Sequence, residues 1–155
     1  MHWRRQYRDR RTSRDNQEQQ YSVSALKGQL SEEYAENILC QLAKHHKISD
    51  FRRATEEEDK QLRTDFMIIL KSKREIGLQV KSSVLGVARF YQMERLRPLP
   101  NRTYAVMPFI VNLSENRIAG EVRMLKALTD FESILKEKEV TLFVWLISAQ
   151  SAKAR

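Results

Sequence analysis

The chain has 155 residues, enough for one domain with a sizeable core and too few for two of ordinary size. Its 28 Lys and Arg outnumber 20 Asp and Glu, and the net charge of +8 favours a polyanionic partner, nucleic acid ahead of a membrane surface. The lone Cys40 excludes an internal disulfide and, set in an apolar helical pattern, reads as a buried, inert thiol in a reducing, cytoplasmic setting. No run approaches the ~20 apolar residues of a membrane span, so no membrane partner is expected, and the N-terminus lacks the apolar core of an export signal.

Residues 1–20 carry six Arg against Asp9, Asp15 and Glu18 with no apolar periodicity. They read as a disordered basic arm, in which Arg4, Arg5 and Arg8 are candidates for gripping phosphates and Trp3 and Tyr7 for stacking on bases. The folded domain is expected over residues 21–150. A helix should open near Ser31 as N-cap, with Glu32 and Glu33 in its first turn and Tyr34, Ala35, Ile38, Leu39 and Leu42 on its apolar face. "ISDFRRAT" predicts a short strand, and the acidic run Glu56 to Asp59 a solvated turn. His45 and His46 fall at the helix end, where contact with its dipole explains them better than catalysis.

"DFMIIL" and "IGLQVKSS" are brief, β-branched apolar runs joined by a charged turn, the pattern of a hairpin. "VLGVARFYQMERL" reads as a helix ending before Pro98. "TYAVMPFIVNL" is a strand in which Pro108 points to an edge or a bulge. Met124, Leu128, Phe131 and Leu135 mark the face of a helix, and "TLFVWLIS" a closing buried strand. The expected order is αβββαβαβ: an α/β fold with one central sheet and helices packed on it.

Polar residues interrupt the hairpin in a particular way. In an extended strand Gln79 and Lys81 project from one face while Leu78 and Val80 project from the other. A suitable register brings Asp65, at the head of the preceding strand, alongside that polar face. An acid, an amide oxygen and an ammonium together suit metal-assisted phosphodiester hydrolysis: Mg²⁺ prefers oxygen ligands and needs few of them, and Lys81 can hold or help deprotonate the attacking water. Taken singly, Lys81 also fits an edge-strand charge that blocks aggregation, and Asp65 a turn residue. One Cys and no spaced His pair give no support for structural zinc.

"TDFMIIL" followed by "GLQVKSS", with "KGQLSEEYAENIL" ahead of them, resembles the PD-(D/E)XK nuclease superfamily, in a Q-x-K variant of the Holliday-junction-resolvase-like or intron-encoded kind. The resemblance covers roughly residues 27–83. It implies a restriction-endonuclease-like core with a mixed central sheet flanked by helices, and a metal-dependent DNA endonuclease using Mg²⁺, with Mn²⁺ as the alternative ion. It also implies roles: Asp65 as principal metal ligand, Gln79 as second ligand through its oxygen, Lys81 as catalytic lysine, and Glu32 as the helix acid, with Glu36 one turn on as the fallback. Asp59 is a lesser candidate for the metal site. Ser82 and Ser83, just past the lysine, are candidates for contact with nucleic acid. Two positions depart from the pattern: Gln79 replaces a second carboxylate, which should weaken metal binding, and Thr64 stands where the naming proline would be.

One site per chain cuts one strand, so a double-strand cutter would be a homo-oligomer, at least a dimer. The competing reading is a nucleic-acid-binding module on the same fold without efficient chemistry. A weaker third is a structural protein that turns its positive surface to a protein partner. Recognition residues outside the motif are expected in the arm, in the "RLRPLPNR" loop, or on the "VLGVARFY" helix.

Overall fold

A computed structural model describes the backbone of residues 3–153 and the side chains of residues 20–139. Helix α1 runs Trp3–Lys44, strand β1 Asp50–Arg53, helix α2 Glu56–Leu62, and strands β2 and β3 Phe66–Ile69 and Glu75–Lys81. Helix α3 follows over Val84–Leu96, then strand β4 Val106–Ile110 and helix α4 Arg117–Lys153. The α/β class is as expected, built on a four-stranded mixed sheet in the order β1-β2-β3-β4. The pairs β1/β2 and β2/β3 are antiparallel, whereas β3 and β4 are parallel and joined through α3, since a parallel pair cannot be closed by a tight turn.

The core lies between the sheet and the two long helices. Ala35, Ile38, Leu39 and Leu42 of α1 and Met124 and Leu128 of α4 bury against Phe66, Ile68, Ile76, Leu78, Val80 and Phe109. The expected apolar faces of both helices are those that pack, with Phe131 and Leu135 partly buried against the same cluster. The helices cross closely at Gly120, where an added Cβ would stand 2.6 Å from the Tyr34 hydroxyl oxygen and 2.8 Å from Ile38 Cδ1. Helix α3 packs on β3 and β4 with Phe90 buried apart from that core, on the opposite face. Strand β4 is one of the two edge strands, which accommodates Pro108 opposite Gln79.

Four expectations are corrected. Ser31 does not open a helix: it sits fully buried inside α1, its hydroxyl donating to the Lys27 carbonyl at 2.8 Å, a bond Ser makes four residues back along a continuing helix. The acidic run is not a turn but α2, capped by Thr55 in a capping box with Glu58. "TLFVWLIS" is not a strand: it continues α4, with neither Gly nor Pro after Gly120 to end the helix. Cys40 is exposed, because it falls outside the face of α1 formed by Ala35, Ile38, Leu39 and Leu42. The arm expected over residues 1–20 coincides with the first part of α1, and the side chains of Arg4, Arg5 and Arg8 lie outside the described residues. Among the described residues no helix is long and apolar enough to cross a membrane.

Candidate active site

Asp65 is set between two strands before β2 begins. Its N–H donates to the Leu78 carbonyl of β3 at 2.8 Å, and its carbonyl accepts from the Ala54 N–H at 2.9 Å. The register pairs Phe66 with Leu78, so Asp65 falls opposite Gln79, on the face away from the core residues. Its Oδ2 accepts two hydrogen bonds, from Gln79 Nε2 at 2.8 Å and from the Val80 N–H at 2.5 Å. Gln79 is only 9% exposed, so a polar pair is built into the end of the sheet.

This carboxyl is pushed up to about 6, first by burial and then by the nearby charges of Glu32 and Asp59; the Val80 hydrogen bond and the Lys81 charge act against the rise. Glu32 of α1 is also raised, again by burial first, with Arg53 opposing, Asp59 adding to the rise and Lys81 opposing it. The charges of Glu32 and Asp59 therefore act on Asp65 at one end of the sheet, and Lys81 is a cation felt by both Asp65 and Glu32.

Glu32 and Glu36, left open by the sequence, are separated by Arg53. Its guanidinium grips Glu36 through Nε and Nη2 at 3.0 and 2.5 Å, lies 3.7 Å from Glu32, and covers the Phe66 ring at 5.3 Å. Glu36 is held below the usual carboxylate range by that hydrogen bond, whereas the charge of Glu32 raises Asp65. Glu32 is thus the helix acid beside Asp65.

Lys81 ends β3, paired with Ile110, and its side chain lies along the first turn of α3, where a Cβ on Gly86 would stand 3.4 Å from Lys81 Cδ. Thr64, in the place of the naming proline, is fully buried, its hydroxyl bonded to the Leu62 carbonyl and to the Tyr104 hydroxyl, each at 3.2 Å. Ser83 caps α3, its Oγ accepting from the Gly86 N–H at 3.1 Å; this is a structural duty for a residue expected to face nucleic acid. Ser82, in the link between Lys81 and that cap, is half-buried.

The structure thus joins Asp65 to Gln79 in direct contact and sets Glu32, Lys81 and Asp59 near enough for their charges to act on Asp65. Sequence reasoning missed Arg53, which no motif marks, and the Val80 N–H, which is visible only once the register is fixed. In the "RLRPLPNR" loop, Arg102 is committed to Glu94, at 3.0 and 2.5 Å, and to the Leu62 carbonyl at 3.2 Å, so it holds the loop rather than offering a free cation.

As a metal site the donors are all hard oxygens, as Mg²⁺ requires. A buried carboxyl whose pKa is raised by burial and by a nearby carboxylate is relieved by a divalent cation. Asp65 Oδ1, the Glu32 carboxylate and the Gln79 amide oxygen are the atoms to hold it; the last must turn from its present orientation, in which the nitrogen faces Asp65. Among the described residues no three His, Cys, Asp or Glu side chains converge on one point, so most of the coordination would fall to water. Comparison with protein-family models, with curated proteins and with solved structures returned no match.

Proposed function

We propose that the chain is a metal-dependent DNA endonuclease that hydrolyses phosphodiester bonds, built on a restriction-endonuclease-like core. The observation that carries this reading is the Asp65 carboxyl, raised to about 6 and held against the Gln-x-Lys strand by Gln79 and Val80, with Glu32 and Lys81 acting on its charge. A carboxylate kept in a costly state by its surroundings is a mark of a functional site. The adjacent antiparallel acid and lysine strands, flanked by an acid-bearing helix before and a helix after, are the arrangement the family resemblance implies.

In this reading Asp65, Glu32 and Gln79 hold Mg²⁺ (or Mn²⁺), which when bound supplies charge neutralisation at the phosphate and acidity to a water. Lys81, as an ammonium, would orient the attacking water and offset negative charge on the phosphoryl oxygens as the bond to the leaving oxygen breaks, with the water's proton passing to solvent and the leaving oxygen drawing its proton from solvent. A double-strand cut requires a homo-oligomer, at least a dimer, and the setting is the cytoplasm. The second reading, a binding module without chemistry, is favoured by one observation: Gln79 already serves Asp65 as a hydrogen-bond donor, so the pair is satisfied without an ion.

A Mg²⁺ titration followed by cleavage of plasmid and branched DNA separates the two. Lys81→Ala should lower cleavage by a factor on the order of 10² or more while DNA affinity changes little. Metal-dependent nicking by the parent that survives undiminished in Lys81→Ala removes the lysine from the mechanism, and DNA binding without any nicking leaves the second reading.

A further inference from the structure

Helix α3 sorts its charges. Its acid, Glu94, is half-buried between Arg63, at 2.9 Å, and Arg102, at 2.5 Å, and is held below the usual carboxylate range mainly by Arg102. Its basic residues, Arg89 and Arg95, with Arg97 at the cap, are exposed and have no carboxylate partner among the described residues. Every other arginine whose side chain is described has one: Arg52 with Glu58, Arg53 with Glu36, Arg74 with Glu139, Arg117 with Glu121 and Arg123 with Glu115, besides Arg63 and Arg102.

The same face is unusually apolar. Val84, Leu85, Tyr91 and Leu96 are 75, 60, 58 and 62% exposed. At about 100° per residue, Leu85, Gln92 and Leu96 run down the middle of the outward side, with Arg89 on one flank and Arg95 and Tyr91 on the other. The face begins next to Lys81, whose side chain lies along the first turn of the helix.

Phosphates alone need only cations. An apolar strip between arginines needs a ligand with apolar faces and negative charge together, and exposed patches of this kind mark binding surfaces. Unstacked nucleobases offer such faces to Tyr, Leu and guanidinium planes, with phosphates spaced between them. A closed duplex keeps those faces in its stack. A second copy of the chain docked through α3 about a two-fold axis would gather the arginines of both helices in one seam, where the one acid of α3, Glu94, is already held by Arg63 and Arg102.

We propose that the outward face of α3 receives unpaired bases and their flanking phosphates, so that the substrate is nucleic acid with single-stranded or unstacked positions beside the scissile bond. The proposal rests on the nuclease reading only for the kind of partner. It is tested by fluorescence anisotropy of the full chain in EDTA, where no cleavage occurs, with a single strand, a gapped duplex and a blunt duplex. The variants are Arg89→Ala/Arg95→Ala, Tyr91→Ala, and a control, Lys71→Ala/Lys73→Ala, which removes equal charge from the β2–β3 turn.

The parent should bind the single strand and the gapped duplex more tightly than the blunt one. Arg89→Ala/Arg95→Ala should weaken binding about tenfold or more and make the salt slope shallower by about 1.4, and Tyr91→Ala should weaken it at least about fivefold. The control should cost less than about threefold. Equal affinity for blunt duplex, a loss in the control as large as in the α3 variants, or loss of self-association in place of DNA binding overturns the proposal while the nuclease reading stands. Absence of binding to all three nucleic acids overturns both.

Discussion

Asp65 is where the fold gives up stability. Its carboxyl titrates near 6 in the folded state against an ordinary value of 3.8, so the folded protein holds the proton more tightly than the unfolded chain. The stability linked to that proton is present in full below about pH 4 and is lost as the pH rises through 6, a difference on the order of 3 kcal/mol. Asp65→Asn keeps an oxygen for Val80 and Gln79 but cannot ionise. In EDTA the variant should therefore be more stable than the parent at pH 8, with the gap closing toward pH 4; urea unfolding across that range checks it, and a gap that stays constant with pH would place the strain elsewhere. At this scale Asp65, Gln79 and Lys81 were legible in the sequence, because alternation along a strand and one hairpin suffice to bring them together. The choice of Glu32 over Glu36 was not, because it depends on where Arg53 reaches across from another element.

The elements show which signals sequence reading weighed wrongly. Thr55 and Glu58 spell a capping box, yet four acids in a row read as a solvated turn; in the structure Thr55 Oγ1 accepts from the Glu58 N–H at 3.2 Å and Glu58 Oε2 accepts from the Thr55 N–H at 2.7 Å. Arg52 then grips Glu58 with two bonds of 2.7 Å, tying α2 to β1. Thr55→Ala should destabilise the protein by about 1 kcal/mol through loss of the cap, read as a lower urea midpoint at unchanged slope. An unchanged midpoint would mean that the Arg52 pair alone holds α2. The two long helices were misjudged for related reasons. Ser31 is as good a cap as it is a tolerated buried residue bonded to its own helix, and an apolar run of strand length is equally a stretch of helix when no breaker interrupts it. The interior strands were legible because their apolar runs are short, β-branched and bounded by turns.

Over the whole molecule, the excess of positive charge is not spread evenly. Most arginines of the described residues are spent on carboxylates, and the unpaired guanidinium groups collect on α3 and its cap, the helix that begins beside Lys81. Residues 1–20 hold six more Arg. Removing them should make the slope of log affinity against log salt shallower by about three on duplex DNA if half of them meet phosphates, with cleavage at saturating DNA retained. An unchanged slope would assign the binding charge to the folded body. The nuclease reading itself depends on whether the carboxyl group at the end of the sheet seats a metal ion. The most direct test is calorimetric titration of the parent and Asp65→Asn with Mg²⁺. The parent should bind Mg²⁺, and near pH 6 the binding should release about half a proton, falling toward none at pH 8, because the ion displaces the proton from Asp65; Asp65→Asn should bind weakly or not at all. Equal Mg²⁺ binding by the two proteins, with no proton released at pH 6, would contradict the assignment of Asp65 as the metal ligand.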